Sequence, residues 1–256
     1  MNSPVDRNTL VSALHTVLDA DRFKDYGPNG LQVEGKTTVR KVVTGVTASL
    51  ALIEAAVAAQ ADAVLVHHGL FWRGQDGRVV GWMKQRLQRL LAADVNLIAY
   101  HLPLDAHPTL GNNAQLAQRL GLITVDAEPL RFGEQQLGWV AQTPQPTQLA
   151  DFASHCAQAL ARTPVMVGDA ARPIRRVGLC TGGAQSYFEA AIAAGVDVFI
   201  TGEISEPQAH YARECGVAYL ACGHHATERY GVQALGRWLS EQHGVEHAFI
   251  DIDNPA

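Results

Sequence analysis

The sequence has few cysteines, no long apolar run and no segment dominated by charge of one sign. Its four cysteines include no C-x-x-C pair, so neither a disulfide framework nor a thiolate zinc site is predicted. The uninterrupted apolar stretch of about 18 residues that a transmembrane helix needs is also absent, and the first residues do not resemble a signal peptide. We therefore expect a cytoplasmic protein that makes no membrane contact.

The composition also limits the partners that the chain can have. A formal net charge of -5 argues against a broad nucleic-acid interface, so nucleic acid is not expected as a partner, although a local basic patch stays open. With 256 residues, of which 47% are hydrophobic, the chain can bury the core of one large domain or of two smaller ones.

One pattern occurs twice along the chain. Residues Thr44–His68 and Gly178–Glu203 each combine a strand, a turn of small residues, an alanine-rich helix and a second strand. When the two copies are laid over each other at a constant offset, Asp62 falls on Asp197 and His68 falls on Glu203. A βαβ pattern of this kind favours parallel strands joined by a right-handed crossover.

The order of elements after the two copies also agrees. After each copy the sequence predicts a helix, a strand and a second helix. After the first copy these are Val80–Ala93, Val95–Tyr100 and Asn112–Leu120, and after the second they are Ser205–Glu214, Val217–Ala221 and His225–Ser240. We interpret the chain as an α/β protein of two similar, interlinked units that arose by internal duplication, residues 1–124 and 125–256. Each unit is predicted to be a mixed sheet flanked by helices. The alternative is that two unrelated α/β stretches share this order.

Candidate metal ligands follow the predicted strands. His67 and His68 close the apolar run AVLV, Asp105 lies in the HLPLDAH segment, and His224 and Glu228 lie in GHHATE. Ligands gather beyond the carboxyl ends of strands in open α/β sheets. Three imidazoles and two carboxylates are too many for one catalytic zinc, which takes three protein ligands, but they suit a dinuclear site.

The metal interpretation has ordinary alternatives at each position. The two histidines can be loop residues, Asp105 suits a turn near prolines, and Glu228 suits the first turn of a helix. Taken together, the residues predict two divalent transition-metal ions per chain at the junction of the two units. A mixed nitrogen and oxygen ligand set favours Zn, Fe, Mn, Co or Ni without choosing among them.

Further polar residues are candidates for catalysis near this site. A metal-bound water would act as the nucleophile, and His101, Glu203 and His225 could orient ligands, contact substrate or move a proton. The catalytic residues themselves are not identified by the sequence.

Four motifs of the chain closely resemble the YbgI-like proteins of the Nif-three-like family, the GTP cyclohydrolase 1 type 2 homologs. They are DYGPNGLQVEG, VLVHHGLFWRG, HLPLDAHPTLGNNAQLA, and TGEISEPQAH followed by GHHATERYG. The resemblance extends from about residue 5 to the final FIDIDNPA. It implies two α/β domains, a dinuclear metal site at their junction and a toroidal homohexamer.

The resemblance also implies ligands and a function. By motif, its metal ligands are the same five residues, and Thr47 stands where many relatives have aspartate, so Thr47 is not expected to bind metal. The implied activity is that of a metal-dependent, GTP cyclohydrolase-like hydrolase acting on a nucleotide or related small molecule. The sequence contains no P-loop, so no nucleotide-binding motif supports this activity independently of the resemblance. Whether the protein is an enzyme therefore stays open. The alternatives are a non-enzymatic metal-binding ring that acts in metal handling or as a scaffold, for instance in a DNA-damage response, and a purely structural metal site.

Overall fold

A computed structural model describes residues 4–123 and 130–256. Its α-helices are α1 (Arg7–Val17), α2 (Leu50–Ala58), α3 (Gly81–Ala92), α4 (Leu102–Ala106), α5 (Asn112–Arg119), α6 (Leu149–Leu160), α7 (Phe188–Ala193), α8 (Glu206–Cys215) and α9 (His224–His243). Its strands are β1 (Val5–Asp6), β2 (Gly30–Val33), β3 (Thr38–Val39), β4 (Lys41–Thr47), β5 (Ala63–His68), β6 (Asn96–Ala99), β7 (Leu130–Phe132), β8 (Gly138–Gln148), β9 (Val165–Val167), β10 (Pro173–Leu179), β11 (Val198–Thr201), β12 (Ala218–Ala221) and β13 (Glu246–Phe249).

None of the helices formed by residues 4–123 and 130–256 is both long enough and apolar enough to cross a bilayer. The cytoplasmic location of the protein stays a prediction.

By packing, the chain divides into two compact units. The first unit contains the residues up to Gly111 together with Gly231–Asp253, and the second contains Asn112–Tyr230 and Asn254–Ala256. These units do not coincide with the predicted ranges 1–124 and 125–256, because β13 pairs with β4 in the first unit. The predicted boundary itself falls among residues 124–129, which lie outside the described residues, and that division of the sequence stays a prediction.

The first unit is built on a sheet with the strand order β13-β4-β5-β6-β2, in which only the edge strand β2 is antiparallel to its neighbour. Successive residues of β5 pack into different cores: Leu65 lies among side chains of α1 and α9, and Val64 lies among side chains of α2 and α3. Both faces of the sheet are therefore covered by helices, which explains why β5 is apolar at every position up to His67.

The second unit is built on a mixed sheet with the strand order β7-β8-β10-β11-β12-β9. Strands β10, β11 and β12 are parallel, and β8 and β9 flank them in antiparallel orientation. Leu116 of α5 and Phe152 of α6 pack in the core on one face. On the other, Phe188 of α7 stacks against Phe199 and meets Tyr219 edge-on, with ring centroids 5.8 and 4.8 Å apart. The predicted α/β class with two similar units is confirmed.

The two units share details that an accidental likeness would not give. The register pairs Val42 with Ala63 in the first unit and Val177 with Val198 in the second, at the same offset along the chain. An aspartate then stands just before the second strand of each pair and accepts two consecutive backbone N–H groups near the start of the first. The donors are Arg40 and Lys41 for Asp62, and Arg175 and Arg176 for Asp197, at 2.8 to 3.2 Å.

Candidate metal centre

In the first unit, polar side chains collect where β5 and β6 end. β5 closes with His67 and His68, whose ring centroids lie 4.6 Å apart. Asp105 lies in the short helix α4 directly after β6. Its Oδ1 is 3.4 Å from Nε2 of His67, and both residues are buried. Because β5 and β6 are parallel neighbours, their carboxyl ends lie at the same edge of the sheet, so this unit brings together its three predicted ligands.

His101 joins this group. Its ring centroid lies 4.9 Å from that of His67 and 5.7 Å from that of His68. One ligand nitrogen from each of the three histidines lies within 4.8 Å of the others, a spacing from which small side-chain rotations can reach a common ion. His101 was predicted as a candidate for catalysis, and its position in the cluster is compatible with either binding metal or transferring a proton.

The other ring nitrogens of this cluster determine which atoms can coordinate. Nδ1 of His67 lies 3.0 Å from the carbonyl oxygen of Tyr100, and Nδ1 of His68 lies 3.0 Å from Oγ1 of Thr47. A carbonyl can only accept, so Nδ1 of His67 carries a proton and Nε2 points its lone pair toward the carboxylate of Asp105. Two acceptors at this distance repel each other unless a cation, either a proton or a metal ion, lies between them.

Asp25 and Asn29 also lie at this cluster, in a segment whose residues have only the composition of a turn. Oδ1 of Asp25 lies 2.7 Å from Nδ1 of His101, and Oδ2 accepts the backbone N–H of Leu102 at 2.9 Å. Asn29 accepts the backbone N–H of His101 at 2.8 Å and donates to Asp25 at 2.9 Å. The turn-forming DYGPN segment therefore fixes His101, and no periodicity or spacing in the sequence indicates this.

The charge of Asp25 follows from these contacts. Burial by itself raises the pKa of Asp25, but the hydrogen bond and positive charge of His101, with donors from Asn29 and the backbone of Tyr26, lower it by more. The pKa of this carboxyl is therefore below its ordinary value, and Asp25 is ionised at neutral pH. A carboxylate at this position keeps the proton of His101 on Nδ1 and leaves Nε2 as the coordinating or proton-accepting atom.

In the second unit, the predicted ligands His224 and Glu228 stand one turn apart at the start of α9. Nε2 of His224 lies 3.2 Å from Oε2 of Glu228, as the i,i+4 spacing predicts. Nδ1 of His224 lies 2.6 Å from Oε1 of Glu203, which follows β11. Tyr219 donates to the carbonyl oxygen of Glu203 at 2.6 Å. Glu203 therefore holds the ring of His224, and its role as a candidate for catalysis stays a prediction.

Two carboxylates determine the charge of His224. Burial lowers the pKa of its imidazole, but the hydrogen bonds and charges of Glu228 and Glu203 outweigh burial and raise the pKa to about 9. In the absence of a metal ion, the pocket of the second unit therefore holds a proton as its cation at neutral pH.

The turn after β10 closes tightly over these ligands. Gly182 has a φ of +70°, and a Cβ atom there would lie 2.0 Å from Oε1 of Glu228. Its backbone N–H donates to Oγ1 of Thr227 at 3.0 Å, and that hydroxyl in turn donates to the carbonyl oxygen of Gly223 at 2.9 Å. Only glycine allows the backbone to approach the Glu228 carboxylate this closely.

His225, the third candidate for catalysis, is buried next to His224 on α9. Its backbone N–H donates to the carbonyl oxygen of Ala256 at 3.3 Å. This contact ties the first turn of α9 to the segment Asn254–Ala256 of the same unit.

The histidines of the two clusters share one arrangement. Each directs Nδ1 to an oxygen, so Nε2 is the ring nitrogen that could coordinate a metal ion. The pairs are His67 with the carbonyl of Tyr100, His68 with Thr47, His101 with Asp25, and His224 with Glu203. Metal-binding histidines are held in this way by carbonyl, hydroxyl and carboxylate oxygens. The three histidines of the first unit form a group that could hold a metal ion, and His224 and Glu228 add nitrogen and oxygen donors of the kind that divalent transition metals take.

Comparison with known proteins finds relatives over nearly the whole chain. The model of the Duf34/NIF3 (NGG1p interacting factor 3) family matches residues 5–255. The chain belongs to this family. A Pseudomonas aeruginosa member named GTP cyclohydrolase 1 type 2 homolog is 55% identical over 250 residues, which cover 97% of this chain and 98% of that protein. A Salmonella typhimurium member of the same name is 49% identical over 253 residues, with coverage of 98% and 100%.

Solved structures of the family have the same fold. The protein ybgI, described as of unknown function, superposes with a TM-score of 0.93 at 48% identity, over 98% of this chain and 100% of that one. A protein from Thermus thermophilus superposes with a TM-score of 0.85 at 34% identity, with the same coverage. The predicted resemblance to the Nif-three-like family is therefore confirmed over nearly the whole chain.

Proposed function

We propose that this Duf34/NIF3 protein is a dinuclear metal-dependent hydrolase that acts on a nucleotide or a related small molecule. The ligands in this proposal are His67, His68, Asp105, His224 and Glu228. The observation that carries it is that Nδ1 of each of these histidines lies within hydrogen-bond distance of an oxygen, an arrangement that orients Nε2 toward a metal ion. The name GTP cyclohydrolase 1 type 2 homolog, which relatives carry, supports a nucleotide as the substrate.

The proposal assigns the ligands of both units to the same pair of ions. The first unit supplies two imidazoles and one carboxylate, and the second supplies one imidazole and one carboxylate. Neither set has enough ligands for two ions, whereas their sum suits a dinuclear site with positions left for substrate and water. Which of Zn, Fe, Mn, Co or Ni binds is a question for metal analysis.

Ions bound by these ligands would polarise the substrate and provide an activated water at neutral pH. The remaining chemistry falls to side chains of the chain itself. His101, whose Nδ1 proton is held by Asp25, is placed to accept a proton through Nε2. Glu203 keeps His224 in its coordinating orientation through Nδ1.

Turnover with and without metal tests the proposal. Nucleoside mono- and triphosphates are assayed with protein stripped by a chelator and then reloaded with each candidate metal. We expect hydrolysis only by the loaded protein, and about 100-fold slower turnover by His101→Asn at unchanged metal content, because proton transfer is lost. His210→Asn, on the exposed surface of α8, is the control. Hydrolysis that persists in metal-free protein would contradict the proposal.

The raised pKa of His224 predicts how metal affinity depends on pH. Metal must displace the proton from this imidazole, whose pKa is about 9 in the metal-free protein. We therefore expect metal affinity to increase as the pH is raised toward 9 and to decrease as the pH is lowered. Metal binding should release protons. Calorimetric titration of metal in buffers of different ionisation enthalpy measures the released protons. For Glu203→Gln, which removes one of the two carboxylates, fewer protons should be released at neutral pH.

We also propose that the chain forms a homo-oligomer, the toroidal hexamer that the resemblance implies. Three large apolar side chains lie exposed before and at the start of α3. They are Val79, Val80 and Trp82, each 53 to 61% exposed, which is unusual for apolar side chains grouped in sequence. Light scattering of the purified protein should give about six times the chain mass of 27.6 kDa. The mass of a single chain would contradict this assembly.

A further inference from the structure

Aromatic side chains border the histidine cluster of the first unit. The indole of Trp72 meets the ring of His101 edge-on, with centroids 5.0 Å apart and planes at 89°, and lies 5.9 Å from the ring of His68. Tyr26 approaches His101 from its own loop, with centroids 6.0 Å apart. None of the ligands or hydrogen bonds described above requires either aromatic ring.

Backbone contacts hold these two rings in place. Arg73 makes two hydrogen bonds to the other loop. Its backbone N–H donates to the carbonyl oxygen of Tyr26 at 2.6 Å, and its side-chain guanidinium donates to the carbonyl oxygen of Asp25 at 2.7 Å. Gly27 packs so closely against the second loop that a Cβ atom there would lie 2.3 Å from the carbonyl oxygen of Phe71. The loops that carry Tyr26 and Trp72 are thus joined to each other, so the backbone that bears both rings is fixed before any substrate binds.

The rings are nevertheless not used to fill the core. Tyr26 is 55% exposed, Trp72 is half-buried, and Phe71, which precedes Trp72 in the sequence, is 36% exposed. Exposed aromatic surface grouped beside a polar cluster is typical of a binding site. The segment that follows is basic, since residues 73–86 contain four basic side chains and one acidic side chain in a chain whose net charge is -5. Aromatic rings next to local positive charge suit a ligand that combines a flat ring with an anionic group.

We propose that Tyr26 and Trp72 form a subsite that stacks the heteroaromatic ring of a purine nucleotide, and that the basic segment 73–86 attracts its phosphate. This inference rests on the proposed function, because it places the substrate beside the histidine cluster. Recognition occurs through the π-face of the base, which all bases share, and not through hydrogen bonds to its edges. The subsite therefore accepts adenine as well as guanine.

Calorimetry on the metal-loaded protein tests the subsite with three probes: adenosine 5′-monophosphate, guanosine 5′-monophosphate and ribose 5-phosphate. We expect both nucleotides to bind at least tenfold more tightly than ribose 5-phosphate. Trp72→Ala and Tyr26→Ala should each weaken the nucleotides by about tenfold and leave ribose 5-phosphate unchanged, and Trp72→Phe should restore part of the loss. Tyr211→Ala is the control, because this half-buried aromatic ring lies on α8 in the second unit.

Metal content and assembly size are measured for every variant, so that the subsite is tested separately from the metal site. Wild-type protein that binds metal but prefers neither nucleotide over ribose 5-phosphate would overturn the subsite and leave the metal proposal standing. Nucleotide binding that depends on Trp72 in protein unable to bind metal would support the subsite and overturn the proposed function. Equal losses in Trp72→Ala and Tyr211→Ala would overturn the subsite.

Discussion

Glu228→Gln should lose most of its bound metal while keeping its fold. The change preserves the shape of the side chain but removes the carboxylate charge, and Glu228 is only 2% exposed and lies 3.2 Å from His224. We expect about two transition-metal ions per chain in the wild-type protein, and an affinity about 100-fold or more weaker in the variant. His68→Ala should have the same effect. Elemental analysis of gently purified protein measures the metal, and circular dichroism checks the fold.

The second unit offers a matched control for this experiment. His210 and Glu206 on α8 have the same four-residue separation and a similar distance of 2.8 Å, but their side chains are 56% and 80% exposed. Glu206→Gln should therefore leave the metal content unchanged. Equal metal content in Glu228→Gln and the wild type would remove Glu228 from the ligand set. Equal loss in both variants would mean that net charge, and not a built site, determines metal binding.

Gly202→Ala should be among the most destabilising single changes at the site. A Cβ atom at Gly202 would lie 2.5 Å from Cα of His224 and 2.6 Å from the carbonyl oxygen of Gly182. Both contacts are with backbone, so no side-chain rotation relieves them, and the start of α9 must move. We expect the free energy of unfolding to fall by about 3 kcal/mol. In a protein of this size the corresponding fall in Tm is roughly 6 to 12 °C.

Gly77→Ala is the control for this second prediction. Gly77 has a negative or extended φ, and a Cβ atom there would meet nothing within 4 Å, so its Tm should change by about 1 °C or less. Thermal unfolding followed by calorimetry measures both variants in the same buffer and metal load. A Gly202→Ala protein as stable as Gly77→Ala would show that the turn after β11 can yield without cost.

The sequence predicted the repeated architecture because its signals are local. Apolar runs of strand length and alanine-rich helices each lie within short windows of the sequence. The constant offset between Asp62 and Asp197 becomes visible when two such windows are compared. The matching hydrogen bonds of these two aspartates confirm that the offset reflects structure. The i,i+4 pair of His224 and Glu228 was predictable for the same reason, since helical spacing alone brings the two side chains together.

The contacts that orient the histidines could not be predicted in this way. Asp25 reaches His101 across 76 positions of sequence, and the Tyr100 carbonyl that fixes His67 is a backbone atom without a side-chain signature. The DYGPN segment has only the composition of a turn. Glu203 could be predicted from the sequence because it takes the position of His68 when the two copies are laid over each other. Asp25 has no counterpart in the second copy from which its role could be inferred.

The discontinuous first unit has a consequence for the order in which the chain folds during synthesis. Its sheet needs β13, which pairs with β4 about 200 positions earlier, and its core needs Val232, Leu235 and Leu239 of α9. Residues 112–230, in contrast, contain every strand of the second sheet. On the ribosome, the apolar strands of the first unit must wait without their edge partner until β13 emerges, whereas the second unit can complete its sheet before that point. Of the two units, the one whose synthesis begins first is therefore the last to complete its sheet.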